Sequence, residues 1–195
     1  MTETFKVDSH TVSILQDEDS LNPRTEFDNA GKMVCWHTRY NLGDEQPKCD
    51  PDEYLLQIMQ DREHSLHGKW VPDNIEQKYL EAYIDKHFVI LPLYLYDHGG
   101  LSISVGSYGC PWDSGKVGFI YVGRESREYD DLAAGLTAEV EVYNQYLQGD
   151  VWGYTIESPA GDAIDSCWGF YGFDYCKSEA IHIATQYSFR LAHQS

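Results

Sequence analysis

Positive charge is what this sequence is short of: 14 Lys and Arg stand against 32 Asp and Glu in 195 residues, a formal charge of −18. A protein that neutralises nucleic-acid phosphates needs a basic face to displace counterions. General nucleic-acid binding is therefore excluded, and duplex binding would need a bound metal. Long apolar runs are missing as well. The longest, residues 88–96, is interrupted by Pro92 and falls far short of the roughly 20 residues of a membrane-spanning helix. The first residues lack the basic and apolar regions of a signal peptide. The five cysteines are odd in number and contain no Cys-x-x-Cys pair, which speaks against a disulfide framework and a structural zinc. The expectation is a soluble protein of a reducing cytoplasm, with no membrane partner. No Ser sits in a Gly-x-Ser-x-Gly elbow, and the glycines at 106–109 and 169–172 lack phosphate-loop spacing, so no nucleotide or other cofactor is expected.

Core-forming residues are plentiful. Apolar residues make up 42% and aromatics 14% of the chain, too many for a disordered acidic tail. The length suits one domain. Residues 5–15 alternate around Asp8-Ser9-His10 and read as a hairpin, Asn22-Pro23 as a turn, and residues 32–37 as a short strand. Asp50, Pro51 and Glu53 form a helix start with an Asp cap, and that helix should run to about Leu66 with Tyr54, Leu55, Ile58 and Met59 on its apolar stripe. A second helix over 72–87 should bury Ile75, Tyr79, Leu80, Tyr83 and Ile84. Strands follow at 88–97, 101–105 and 117–122, the first two joined by the turn at 98–100. A helix over 137–147 with Gly149 as its stop, a hairpin of 151–157 with 163–168, and a helix over 177–191 complete the chain. The fold class is α+β: a single domain over residues 1–195 with a mostly antiparallel sheet and about four helices.

Charge is unevenly spread. Between Arg127 and Lys177 there is no basic residue, while Glu128, Asp130, Asp131, Glu139, Glu141, Asp150, Glu157, Asp162, Asp165 and Asp174 supply ten acids. A solvated face accounts for such a run if it serves only solubility. A surface for an Arg- and Lys-rich partner accounts for it too, and would bring long-range steering and salt-sensitive affinity. Trp152 and other late aromatics interleave with these acids and would supply interface anchors.

Other chemistry is less well supported. Asp17, Glu18 and Asp19 with Asp28 and Asp44 offer oxygen ligands, but without EF-hand spacing. His64 and His67 share a helix face without the Glu of the zinc-protease pattern, so no metal site is expected. Cys110 or Cys167 with His37 or His98 could serve nucleophilic catalysis. Cys110-Pro-Trp-Asp113 reads better as a packed turn with Cys110 and Trp112 tucked onto the sheet.

Four blocks carry a resemblance: Asn22-Pro-Arg-Thr-Glu-Phe-Asp-Asn-Ala-Gly-Lys-Met-Val-Cys-Trp-His37 with residues 39–44; Cys110-Pro-Trp-Asp-Ser-Gly-Lys-Val-Gly-Phe-Ile-Tyr-Val122; Glu139-Val-Glu-Val-Tyr-Asn-Gln-Tyr-Leu-Gln-Gly-Asp-Val151; and Asp165-Ser-Cys-Trp-Gly-Phe-Tyr-Gly172. Together they resemble a family of small acidic proteins of bacteriophages, plasmids and other mobile elements. The resemblance implies a bacterial host cytoplasm and an anti-defence role, against CRISPR effectors or restriction enzymes. It transfers no catalytic residue. The resulting expectation is a non-enzymatic inhibitor that binds a basic, nucleic-acid-handling host protein such as a defence nuclease, with DNA mimicry as one route, through Glu128, Asp130, Asp131, Glu139, Glu141, Asp150, Trp152, Glu157, Asp162 and Asp165. The alternative is a small hydrolase or nucleic-acid-modifying enzyme built on Arg24, Glu26, Asp28, His37 and Arg39 with Cys110, Trp112 and Asp113.

Overall fold

The computed structural model describes residues 2–106 and 114–192. Among them the chain forms β1 (Thr2–Val7), β2 (His10–Gln16), α1 (Pro23–Glu26), β3 (Lys32–Cys35), α2 (Pro51–His67), α3 (Gln77–His87), β4 (Phe88–Asp97), β5 (Leu101–Ser104), β6 (Ser114–Gly123), α4 (Leu132–Gln148), β7 (Val151–Glu157), β8 (Ala163–Tyr171) and α5 (Phe173–Ala192). The α+β class and the antiparallel pairing expected from the sequence are both found. The strands, however, divide into two sheets of four, β1-β2-β7-β8 and β3-β6-β4-β5, and five helices form where about four were expected. The contacts cluster into two compact units, Met1–Glu26 with Val142–Ser195, and Phe27–Glu141.

The first unit joins the opening hairpin to the closing one. Asp8 takes a left-handed turn (φ 53°), and Val12, lying opposite Phe5, also pairs with Ile156 of β7. One sheet face is apolar because strand side chains alternate: Val12, Ile14, Trp152, Tyr154 and Ile156 pack against Cys176, Ala180 and Ala184 of α5. The small residues on α5 let the helix lie close to the sheet. At the strand edge Lys177 pairs with Glu3 at 2.6 Å and covers the rings of Phe5 and Phe173.

In the second unit β6 is central, paired on one side with β3 and on the other with β4. The α2 helix starts as its sequence dictates, the Asp50 carboxylate accepting the Glu53 N–H at 2.9 Å, and ends at Gly68 in a left-handed conformation. Tyr54, Leu55 and Ile58 pack with Val34, Phe119 and Tyr121. α3 begins at Gln77 rather than 72, because Asp73 and Asn74 form a turn as such residues favour. Leu80 and Ile84 are buried as expected, but Tyr79, placed on the buried stripe from its spacing, is 59% exposed. A helix that covers a sheet on a narrow front buries only its central row. α4 and α5 each start about five residues early because their caps come from outside the apolar pattern: Asp131 accepts from Ala133 and Ala134, and Asp150 from Phe173.

Candidate protein-binding surface

The ten residues expected to form a contact surface separate into two groups. Glu139 and Trp152 are corrections. Glu139 is 9% exposed, and one of its carboxylate oxygens accepts the N–H groups of Ala30 (3.0 Å) and Gly31 (2.9 Å) and the hydroxyl of Tyr129 (2.9 Å). Trp152 is 7% exposed, because it lies on the face of β7 that α5 covers and meets Phe173 edge-on at 5.0 Å between centroids. Neither side chain faces a partner. Asp131 and Asp150 do structural work as helix caps, Asp150 also accepting the indole N–H of Trp152. Asp165 accepts from the Tyr187 hydroxyl at 3.3 Å.

Five of the ten remain as open surface charge. Glu128, Asp130, Glu141, Glu157 and Asp162 are exposed, and no ion pair among the described residues engages them. The first three belong to the Phe27–Glu141 unit and the other two to the unit containing both termini. Uncompensated carboxylates of this kind cost little in water and attract cations over about a Debye length, roughly 8 Å at physiological salt.

Acid also gathers where no local pattern marks it. A groove of about 490 Å³ between α2 and α3 has Leu56, Ile75 and Leu80 among its lining, with Asp50, Asp52, Glu53 and Asp73 around them. Asp73 accepts from Gln60 at 2.8 Å. Toward the C-terminal ends of the same two helices a second groove, about 540 Å³, holds His67, Lys69, Lys86 and His87 with Met59 and Tyr83. Here Tyr83 donates to Glu63 at 2.7 Å, which holds the Glu63 carboxyl below its ordinary value. Burial, reinforced by the neighbouring Arg62 charge, lowers His87. These grooves pair residues distant in sequence, and only the helix packing reveals them.

Residues of the enzyme reading are placed as follows. His37 uses Nδ1 to accept the N–H groups of Arg39 (3.3 Å) and Tyr40 (3.1 Å), which makes it a loop cap stacked on Tyr40. Arg39 reaches Asp97 at 3.5 Å on the surface. Arg24 is buried in α1, Glu26 accepts from Thr25, and Asp28 is exposed. Cys110, Trp112 and Asp113 lie outside the described residues. Cys167 is exposed, whereas burial pushes the Cys176 thiol up to about 11, where the nucleophilic thiolate is scarce.

Among the described residues no three His, Cys, Asp or Glu side chains converge as a metal-binding group. Asp44, one of the candidate oxygen ligands, accepts the Met33 N–H at 2.6 Å, and Asp17 accepts from Asp19. No described helix is long and apolar enough to cross a membrane. No protein-family profile, curated protein or solved structure matches the chain.

Proposed function

We propose that this protein is a non-enzymatic acidic inhibitor that binds a basic, nucleic-acid-handling host protein, an anti-defence factor of the anti-CRISPR or anti-restriction kind that offers carboxylates where the target expects phosphates. The observation that carries the reading is the stretch from Glu128 to Cys176, which contains no Lys, Arg or His and leaves Glu128, Asp130, Glu141, Glu157 and Asp162 exposed without ion-pair partners among the described residues. Glu141 within α4 and Glu157 at the end of β7 stand on regular elements, so little backbone ordering opposes association there, while Glu128, Asp130 and Asp162 lie in the connecting loops. A single exposed ion pair contributes only about 0–1 kcal/mol. Affinity must then come from several pairs acting together, and the charge itself acts mainly on the rate of encounter. The mobile-element resemblance of the sequence supplies the class of target.

The test is capture of purified restriction and CRISPR nucleases on the immobilised protein, with release by a salt gradient and inhibition measured in parallel. A basic nuclease should be retained at low salt and released at moderate salt. Replacing the five open acids by Lys should slow association more than tenfold at low salt while changing dissociation little. Inhibition untouched by that charge reversal would sink the electrostatic reading.

A further inference from the structure

The face of the β1-β2-β7-β8 sheet that α5 does not cover has an organisation of its own. Strand alternation puts Gly153, Thr155 and Glu157 on it, since Trp152, Tyr154 and Ile156 face α5. Their partners across the ladder are Leu15, Ser13 and Thr11 of β2. One row crosses all four strands as Thr4, Ser13, Thr155 and Ser166, with Thr4 and Ser13 hydrogen-bonded at 3.0 Å. Around this row the face is a polar hydroxyl surface; toward the start of β7 it turns apolar, with Leu15 and the fully buried Val151, and there one large ring is exposed as an exception.

That exception is Trp168. A Cβ on Gly153 would come within 2.2 Å of its six-membered ring, so the indole lies against the bare backbone of β7 in the space a side chain would fill. The ring is fixed by the sheet, yet the residue is 48% exposed. It lies beside Leu15, the ladder partner of Gly153. Carboxylates flank it on both sides. Asp17 continues the ladder, donating its N–H to Val151, and by strand geometry its Cα is about 8 Å from that of Gly153. Glu157 lies four residues along β7, about 13 Å away. Among the described residues, Lys6, opposite Thr11 on the edge strand, is the basic residue on this face.

We infer that this face is the docking surface for an arginine-bearing basic segment of the partner, with Trp168 as the anchor on which a guanidinium stacks while Asp17 and Glu157 receive neighbouring cations. The inference rests on the acidic-inhibitor reading and names its hot spot. Three properties select an arginine-rich occupant. Trp is the aromatic best suited to hold a cation over its ring. Arg is weakly hydrated and stacks, where Lys does not. An aromatic backed by the bare strand at Gly153, with Leu15 beside it and the hydroxyl row beyond, has the anatomy of an energetic hot spot.

The full chain labelled with 5-fluorotryptophan tests this by ¹⁹F NMR, the Trp168 signal being assigned with Trp168→Leu. The probes are hexa-arginine and hexa-lysine at low salt. The Trp168 resonance should move on adding hexa-arginine, which should bind several-fold more tightly than hexa-lysine. Trp168→Leu should weaken hexa-arginine about tenfold and hexa-lysine less than twofold. If both peptides bind while Trp168 stays still, or if the exposed Trp70 between α2 and α3 moves in its place, this face is wrong and the acidic reading stands. If neither peptide binds, both fall. The shift in the unsubstituted protein keeps the test decisive should Trp168→Leu fold poorly.

Discussion

Glu139 sits in the acid-only stretch beside Glu141, and the two differ entirely in what they do. Glu141 is exposed on α4, whereas Glu139 gathers two backbone N–H groups and a phenol on one oxygen. Removing such a carboxylate leaves buried donors without an acceptor, and each costs about 1–3 kcal/mol. Glu139→Ala should therefore destabilise the fold by about 3 kcal/mol in urea denaturation, while Glu141→Ala stays within about 0.5 kcal/mol of the unsubstituted protein. Equal effects of the two changes would remove the structural role given to Glu139. The distinction was not legible in the sequence, where both are acids two positions apart. Its source is the helical period: two residues rotate a side chain by about 200°, from the buried row of Leu136 and Val140 to water. In the sheet, strand alternation put Trp152 of β7 on the face that α5 covers, while Trp168 of β8 lies over Gly153 on the other face, although both are tryptophans in one aromatic and acidic run.

At the scale of elements, local signals and long-range signals separate cleanly. The α2 start was readable because its cap, Asp50, is adjacent in sequence. The α5 start was not, because its first N–H groups are met by a residue 23 positions earlier, Asp150, which also fixes Trp152. Asp150 thereby ties the beginning of β7 to the beginning of α5. Asp150→Ala should cost about 2–4 kcal/mol, combining the loss of a cap with the loss of a charged hydrogen bond to the indole. Asp150→Asn, which keeps an acceptor oxygen, should recover at least half. Thermal denaturation followed at the tryptophan band measures both, and an Ala variant as stable as its parent would contradict the capping role. The hairpins β1-β2, β4-β5 and β7-β8 were legible from alternation and turn residues. The pairing of β2 with β7, which closes the first unit from opposite ends of the chain, carried no local mark.

The molecule as a whole couples its stability to alkaline pH through buried phenols. Burial is the main cause that pushes Tyr54, Tyr83 and Tyr154 each up to about 12, and it raises Tyr121 further. In the unfolded chain these groups ionise near 10. Below that pH both states are protonated and the contribution is fully present. Between about 10 and 12 the unfolded state sheds protons that the fold retains, so stability falls as pH rises. Melting temperature should drop steeply from pH 10 to pH 12, and Tyr154→Phe, which removes a phenol but keeps the ring, should make the drop shallower. A variant with an unchanged slope would show that this phenol does not contribute. The net charge of −18 acts in the same direction, since added negative charge strengthens self-repulsion in the compact state.

Composition and periodicity by themselves determined much of this protein. Charge of one sign, alternation and turn chemistry established an acidic α+β chain with antiparallel hairpins and placed most of its elements, because those properties act between neighbours in sequence. Tertiary structure alone decided which acids are free and which are spent on caps and buried donors, and which of Trp152 and Trp168 meets solvent. It also decided that the strands form two sheets. Those outcomes depend on which face of each element is covered, a property fixed by partners from distant parts of the chain.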